Sequence, residues 1–239
     1  MASEIIRVAV AGANGRMGRV ACAALADADG LTLVGGLARA SEPSAAIVDD
    51  ADTLFERYHP DVLLDLTMHP FSVDLAFSAL AHGVRPVIGV SGWSASDCAR
   101  LDRAAQTARL GAMLVPNFSV GAALMMRFAE LAARHFPTVE IVEMHHDGKR
   151  DAPSGTARLT AERIVAQGHV DDVPIHSIRL RGPVAHQAVL FGSAGEMLTI
   201  RHDSFSRDSF VAGMFAAIRR VMTLRGLRIG LDFILDEME

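Results

Sequence analysis

Between residues 5 and 118 short apolar runs alternate with stretches whose apolar positions recur at helical spacing. That alternation predicts a parallel sheet covered by crossover helices. The predicted strands are Ile5–Gly12, Leu31–Leu37, Asp61–Thr67, Pro86–Val90 and Ala112–Pro116, with helices near Gly15–Ala28, Ser72–Ala81 and Ser96–Arg109. Several of these helices are introduced by Ser or Asp residues suited to capping. After Asn117 the rhythm changes. Ser119 is placed to cap a long amphipathic helix reaching about Phe136, followed by a strand Val139–Met144, a polar loop and a helix from about Ser154 to Ala166. Three strand-like runs follow closely, Ile175–Leu180, Val184–Phe191 and Met197–His202, and their short connections suit an antiparallel or mixed sheet. A last helix, Ser209–Leu224, leads to an apolar tail, Leu227–Leu235. The expected class is therefore α/β: a Rossmann-like doubly wound parallel sheet over 1–118, and a second α+β domain with a mixed sheet over 119–212. The segment 213–239 is expected to return to the first domain.

Composition supports a packed globular chain. Half of the 239 residues are hydrophobic and 21% are charged, enough to bury a core without disulfide or metal staples. Twenty-three Lys and Arg against 28 Asp and Glu give a formal charge of −5, with no long cationic run, so nucleic acid is not an expected partner. The longest stretch free of charged residues, Leu110–Met126, is broken by Pro116 and Asn117 and falls short of the ~20 apolar residues of a spanning helix. No membrane association is expected. The start, MASEIIRVAV, carries Glu4 and Arg7 and lacks the basic and apolar segments of a secretory signal, which points to the cytoplasm. Cys22 and Cys98 match no metal or redox spacing.

The segment VAVAGANGRMGRV sets Gly12, Gly15 and Gly18 directly after the first strand and at the start of a helix. Gly12 permits a tight turn, Gly15 lets backbone N–H groups approach a pyrophosphate, and Gly18 allows close packing of helix on strand. The helix N-terminus attracts the anion. The spacing is G-x-x-G-x-x-G rather than G-x-G-x-x-G, so the strand–turn–helix context carries the dinucleotide reading. A turn that needs positive φ and binds nothing is the alternative. At the end of the second strand stands Leu37-Ala38-Arg39, with no carboxylate until Glu42. An acidic residue there would accept the ribose hydroxyls of NAD, whereas Arg39, with Arg16, suits the 2′-phosphate of NADP. NADPH is thus favoured over NADH, the plainer alternative being two solvated arginines.

The second informative stretch is residues 143–157. Neighbours on an extended strand face opposite ways, so His145 and His146 are poorly placed to share a metal, and no third ligand follows at a suitable spacing. No metal is expected. Acid–base chemistry fits better. His145 has an ordinary pKa near ~6.5, and Lys149 would be a cation and proton donor beside an anionic substrate. Asp151-Ala152-Pro153-Ser154 is a helix start with Pro in the first turn. Gly155 and Thr156 would then offer N–H groups and a hydroxyl to a carboxylate. Singly, each His or Lys reads equally well as a solvated loop residue; grouped, they suggest a small polycarboxylate ligand. His186, on a strand, reads as either facing the site or packing in the core or an interface, the latter favoured.

The run E-x-H-H-x-x-K-x-D-A-P-S-G-T-A from Glu143, joined to G-A-x-G-R-M-G from Gly12, closely resembles the dihydrodipicolinate reductase family of the bacterial diaminopimelate and lysine pathway. Asp65-Leu66-Thr67, Pro116 to Gly121, Val184 to Gly192 and Arg201 to Ser204 fall on matching segments, so the resemblance covers nearly the whole chain. It implies reduction of a cyclic, nitrogen-containing dicarboxylate by NADPH or NADH. His145 would be proton donor or acceptor and Lys149 the proton donor, while His146, Gly155 and Thr156 would hold the substrate's carboxylates. Gly12, Ala13, Asn14, Gly15, Arg16 and Met17 would wrap the pyrophosphate. Gly89, Val90 and Ser91, with Val115, Pro116, Asn117 and Phe118, would line the nicotinamide end of the groove. It also implies a homotetramer built on the second domain's sheet. The chain departs from the family at Ala38, where members favouring NADH commonly carry an acid, at Val90, where many have Thr, and in a compact Gln167–Pro174 connection. Two other readings use only the first domain's logic: another two-domain dehydrogenase acting on an amino or keto acid, or a non-catalytic dinucleotide sensor.

Overall fold

The computed structural model describes residues 5–39 and 46–231; Glu42 and the tail 232–239, both used in the sequence reading, lie outside the described residues. The elements are, in chain order, β1 (Ile6–Ala11), α1 (Arg16–Ala26), β2 (Leu31–Leu37), β3 (Ile47–Val48), α2 (Ala51–Tyr58), β4 (Val62–Asp65), α3 (Phe71–Ala81), β5 (Arg85–Ile88), α4 (Ala95–Ala108) and β6 (Gly111–Leu114). They continue with α5 (Val120–Ala133), β7 (Thr138–His146), α6 (Gly155–Val165), β8 (Ile175–Leu180), β9 (Ala185–Ser193), β10 (Glu196–Ser204), a 3-10 turn (Arg207–Phe210), α7 (Val211–Val221) and β11 (Gly226–Ile229). Contacts divide the described chain into two compact units, one running to Phe118 and resuming over Phe210–Leu231, the other Ser119–Ser209.

The first unit is a seven-stranded parallel sheet in the order β11-β6-β5-β4-β1-β2-β3. Helices cover both faces of such a sheet, so its strands read as unbroken apolar runs. Val8, Ala9, Val10, Val62, Leu63, Leu64, Val87, Ile88, Ala112 and Met113 are all fully buried. The order turns around at β1, with β2 and β3 on one side and β4, β5 and β6 on the other. In open α/β sheets the ligand crevice lies at such a point, beyond the carboxyl ends of the strands. Strand β11 pairs with β6 from Gly226↔Gly111 to Ile229↔Leu114.

Two elements of this unit have no counterpart in the sequence reading. Strand β3 has only two residues, too few for a period to register. Helix α2 has a clear cap, the Asp50 carboxylate accepting from the Thr53 N–H at 2.7 Å. Its buried residues, Leu54 and Phe55, are adjacent rather than three or four apart, so the helical spacing that marks the others is missing.

The second unit is a four-stranded mixed sheet in the order β10-β9-β7-β8, parallel between β7 and β8 and antiparallel elsewhere. One face is buried beneath α5 and α6: Val139, Ile141, Val189 and Phe191 pack against Met125, Ala129, Ala157 and Ile164. The strand signal is therefore the alternation of a sheet covered on one side. Strand β7 runs on through His146, which places its two histidines on opposite faces. Among the described residues no helix is long and apolar enough to cross a membrane.

Candidate active site

In the first unit the strand ends stand level. Ala11 pairs with Asp65, Asp65 with Ile88 and Ile88 with Leu114, so Gly12, Leu66, Gly89 and Val115 form one rim at the carboxyl end of the sheet. Gly12 has φ +77°, and a Cβ there would stand 2.7 Å from the Leu66 carbonyl oxygen. The N–H groups of Gly12 and Ala13 donate to Leu37 O at 2.8 and 3.2 Å, tying the turn to the end of β2. Gly15 caps α1 without any side-chain bond, and the first turn of α1 holds no acidic residue. A Cβ on Gly15 would meet only Gly12 O, at 3.0 Å. The helix's leading N–H groups are thus available to an anion, in a cradle that larger side chains would fill. These residues fit a dinucleotide pyrophosphate. Ala13 is buried, Asn14 and Met17 half-buried and Arg16 exposed. Arg39 is also exposed, just past the end of β2. On the β2–β3 side of the turn lies a cavity of about 350 Å³ bordered by Ala13, Asn14, Arg19, Cys22, Gly36 and Ile47.

The segments expected at the nicotinamide end come together on the same rim. Gly89 N donates to Asp65 O at 2.8 Å and Val115 N to Ile88 O at 2.7 Å. A Cβ on Gly89 would stand 2.6 Å from the Phe118 ring. Val90, Val115 and Phe118 are buried, Asn117 is half-buried, and Ser91 and Pro116 are exposed. Beneath this rim Asp65, fully buried, accepts from Ser72 Oγ at 2.5 Å, Thr67 Oγ1 at 2.6 Å and Thr67 N at 2.9 Å. Burial pushes its carboxyl above the usual range, with the Ser72 and Thr67 bonds opposing. Asp65 fixes the turn whose Leu66 carbonyl abuts Gly12.

In the second unit Glu143 and His145 share the covered face of β7, opposite Ser177 and Arg179 on β8 and Gln187 and Ala185 on β9. The Glu143 side chain is fully buried. The Arg179 guanidinium grips it in a fork, Nη1 to Oε2 at 2.9 Å and Nη2 to Oε1 at 2.8 Å. The Ser154 N–H donates to Oε1 at 3.2 Å, and His145 Nδ1 stands 2.5 Å from Oε2. Burial alone would raise the Glu143 pKa, but hydrogen bonds from Arg179, Ser177 and His145 prevail and hold it at about 2. Burial pushes the His145 pKa below its ordinary value; Glu143 opposes this, and Lys149 and Arg179 add to it.

Lys149 lies in the turn after β7, its N–H bonded to His146 O at 3.1 Å and its Nζ 2.8 Å from Asp151 Oδ2. Arg179 Nη2 reaches the Asp151 carbonyl at 2.7 Å. Ser154 caps α6, accepting from Ala157 N at 3.1 Å. Pro153 therefore precedes the cap, correcting the expectation that it sits in the first turn. Gly155 and Thr156 open the helix, and a Cβ on Gly155 would meet nothing within 4 Å. Thr160 bonds to Thr156 O and Gln187 to Thr160, both at 2.8 Å, locking the first turn of α6 to β9. One buried carboxylate thus gathers His145, the loop bearing Lys149 and the start of α6, while His146 leaves the strand on the other face. Among the described residues no group of three or more His, Cys, Asp or Glu could hold a metal ion.

Sequence reasoning missed the roles of Glu143, Asp151 and Arg179. Glu143 had a signal, a charge on the inward side of a strand after Val139 and Ile141, where only a paired charge is tolerated. Arg179, 36 residues further on, had none.

The lowered pKa values set an acid limit on stability. His145 and His202 have folded pKa values below their ordinary 6.5, both through burial. Their contribution is complete above that pH and is lost as pH falls through the folded values. Glu143 behaves alike between 4.5 and about 2. The thermal midpoint should fall below pH 6.5 and again below 4.5; a midpoint unchanged from neutrality to pH 3 would contradict this.

Two family models match, "Dihydrodipicolinate reductase, N-terminus" over residues 6–118 and "Dihydrodipicolinate reductase, C-terminus" over 121–234. The 4-hydroxy-tetrahydrodipicolinate reductase of Geobacillus kaustophilus is 44% identical, covering 97% of this chain and 99% of its own. That of Lactococcus lactis subsp. cremoris is 43% identical, covering 97% and 98%. Among solved structures, the dipicolinate-bound dihydrodipicolinate reductase from Paenisporosarcina sp. TG-14 superposes with a TM-score of 0.86 at 38% identity, over 96% of this chain and 99% of that one.

Proposed function

The chain belongs to the dihydrodipicolinate reductase family, and from that premise we propose how its own residues serve the reaction. It reduces 4-hydroxy-tetrahydrodipicolinate with NAD(P)H, in lysine and diaminopimelate biosynthesis. Loss of the 4-hydroxyl as water gives a conjugated ring, to which the nicotinamide, when bound, would supply a hydride. The ring then needs one proton to complete the reduction. Lys149, through Nζ, is its source, and His145, through the Nε2 left open by its Nδ1 contact with Glu143, takes up a proton and passes it on. The N–H groups of Gly155 and Thr156, the Thr156 hydroxyl and His146 hold the carboxylates, the helix dipole favouring negative charge there. Dipicolinate in the Paenisporosarcina relative is a ligand of the same chemical type. Gly12 to Met17 carry the diphosphate, with Gly89 to Ser91 and Val115 to Phe118 at the nicotinamide end. The observation carrying this reading is the buried Glu143 that draws His145, Lys149 and the α6 N-terminus to one place.

The finer assignments rest on separate features. Arg39, with Ala38 where an acid would select NAD, supports NADPH as the preferred reductant. A homotetramer is supported by the uncovered face of the second sheet, which carries Val142, Met144 and Ile178 together with Leu180 and Met197, 52% and 69% exposed. Sedimentation should give four chains per particle, and a monomer would overturn that assignment. The activity test follows oxidation of each reduced nucleotide with the cyclic substrate generated in situ. Turnover with a higher kcat/KM for NADPH, narrowed by Arg39→Ala, is expected. Equal or reversed preference would overturn the NADPH assignment, and no turnover with either would overturn the functional reading. Thr156→Ala should raise KM and leave kcat near wild type, because it removes a contact made equally in ground and transition states.

A further inference from the structure

We propose that Glu143, clamped by Arg179, is the positioning carboxylate of the proton-transfer apparatus: it fixes the neutral His145 ring with its proton on Nδ1, leaving Nε2 as the atom that exchanges protons. The proposal deepens the functional reading above and rests on it for its kinetic part.

A carboxylate on the covered face of β7 is costly. The preceding inward positions are Val139 and Ile141, both buried in the core of this unit, and a charge in that row is tolerated only if its acceptor sites are filled. They are filled by both Nη groups of Arg179, the Ser154 N–H and His145 Nδ1. A stabilising ion pair would need Arg179 alone. The histidine bond serves instead to select one tautomer, because a carboxylate can only accept and Nδ1 must donate. His145 Nε2 has no hydrogen-bond partner among the described residues, and the side chain retains 15% exposure. One nitrogen is committed and the other is open.

Arg179 extends the clamp. It stands opposite His145 in the β7–β8 register, and its Nη2 reaches past Glu143 to the Asp151 carbonyl. The carboxylate of Asp151 holds Lys149 Nζ at 2.8 Å. The guanidinium thus ties the His145 side of the site to the Lys149 side. Among the described residues its Nε is buried without a partner, a desolvation cost accepted to keep both Nη groups on Glu143 and Asp151.

The first test needs no turnover. Nitrogen-15 NMR of the imidazole rings in the whole protein, with the His145 signals assigned by their loss in His145→Asn, reads the tautomer directly. A neutral His145 protonated on Nδ1 supports the clamp; one protonated on Nε2 overturns it. The second test is kinetic. Glu143→Gln should lower kcat by about 10²-fold with KM changed less than about threefold. The limb of the kcat/KM profile that reports His145 should move to lower pH, since Lys149 and Arg179 remain facing the ring and the one opposing negative charge is gone. Glu143→Asp should recover part of kcat. If wild-type protein turns over and Glu143→Gln keeps the wild-type limb, the clamp fails and the functional reading survives. If wild-type protein never turns over, the functional reading fails and the tautomer still decides the clamp.

Discussion

Lys149→Ala and His145→Ala should each lower kcat by about 10²- to 10⁴-fold, the usual worth of a positioned proton donor, with the fold intact. Neither truncation opens a core cavity, since the side chains are 22% and 15% exposed. Removing the imidazole leaves Glu143 its Arg179 fork and the Ser154 N–H. Both groups serve one proton, so the double variant should lose less than the product of the single losses. Lys149→Arg separates charge from proton donation: it keeps the cation, yet a guanidinium does not release its proton at working pH. It should recover KM and little of kcat. Single-turnover kinetics would measure these effects, and wild-type turnover in the double alanine variant would reject the assignment.

Gly18→Ala should be among the most damaging small substitutions in the first unit. An added Cβ would stand 2.0 Å from Gly12 O and 2.7 Å from Ala13 O. Both obstacles are backbone atoms of the glycine turn, so no rotamer change relieves the clash, and α1 must move off β1. Overpacking commonly costs about 1–3 kcal/mol and more where nothing can yield. The displaced turn is also the cradle assigned to the diphosphate, so affinity for NADPH should fall along with stability. Gly155→Ala supplies the contrast, since its Cβ would meet nothing within 4 Å, and it should unfold at the wild-type midpoint. Thermal unfolding and nucleotide titration of both variants measure the difference; wild-type stability and affinity in Gly18→Ala would contradict the role given to that glycine.

The two stretches that carry chemistry were legible because each is contiguous. A strand, three glycines and a helix start lie within one short segment, and the histidine, lysine and Pro-Ser-Gly-Thr residues within another. The doubly wound sheet was legible because strands buried on both faces, such as Val62 to Leu64, must be unbroken apolar runs. What escaped was non-local or too short to show a period. Strand β3 exists only as an addition to the edge of β2. Arg179 reads in isolation as one charged residue on an amphipathic strand, and only the parallel register of β7 and β8 brings it to Glu143. Glu143 lay inside the recognised motif, but its task became visible only once the inward face of β7 was known.

Isotope transfer tests the central claim most directly. With NADPH deuterated at the transferable position of the nicotinamide, wild-type enzyme should give a reduced ring bearing one carbon-bound deuterium per nucleotide oxidised, and the same experiment in deuterated water with ordinary NADPH should mark the proton that His145 and Lys149 deliver. Nucleotide oxidation without deuterium in the ring, or no oxidation at all, would contradict the account.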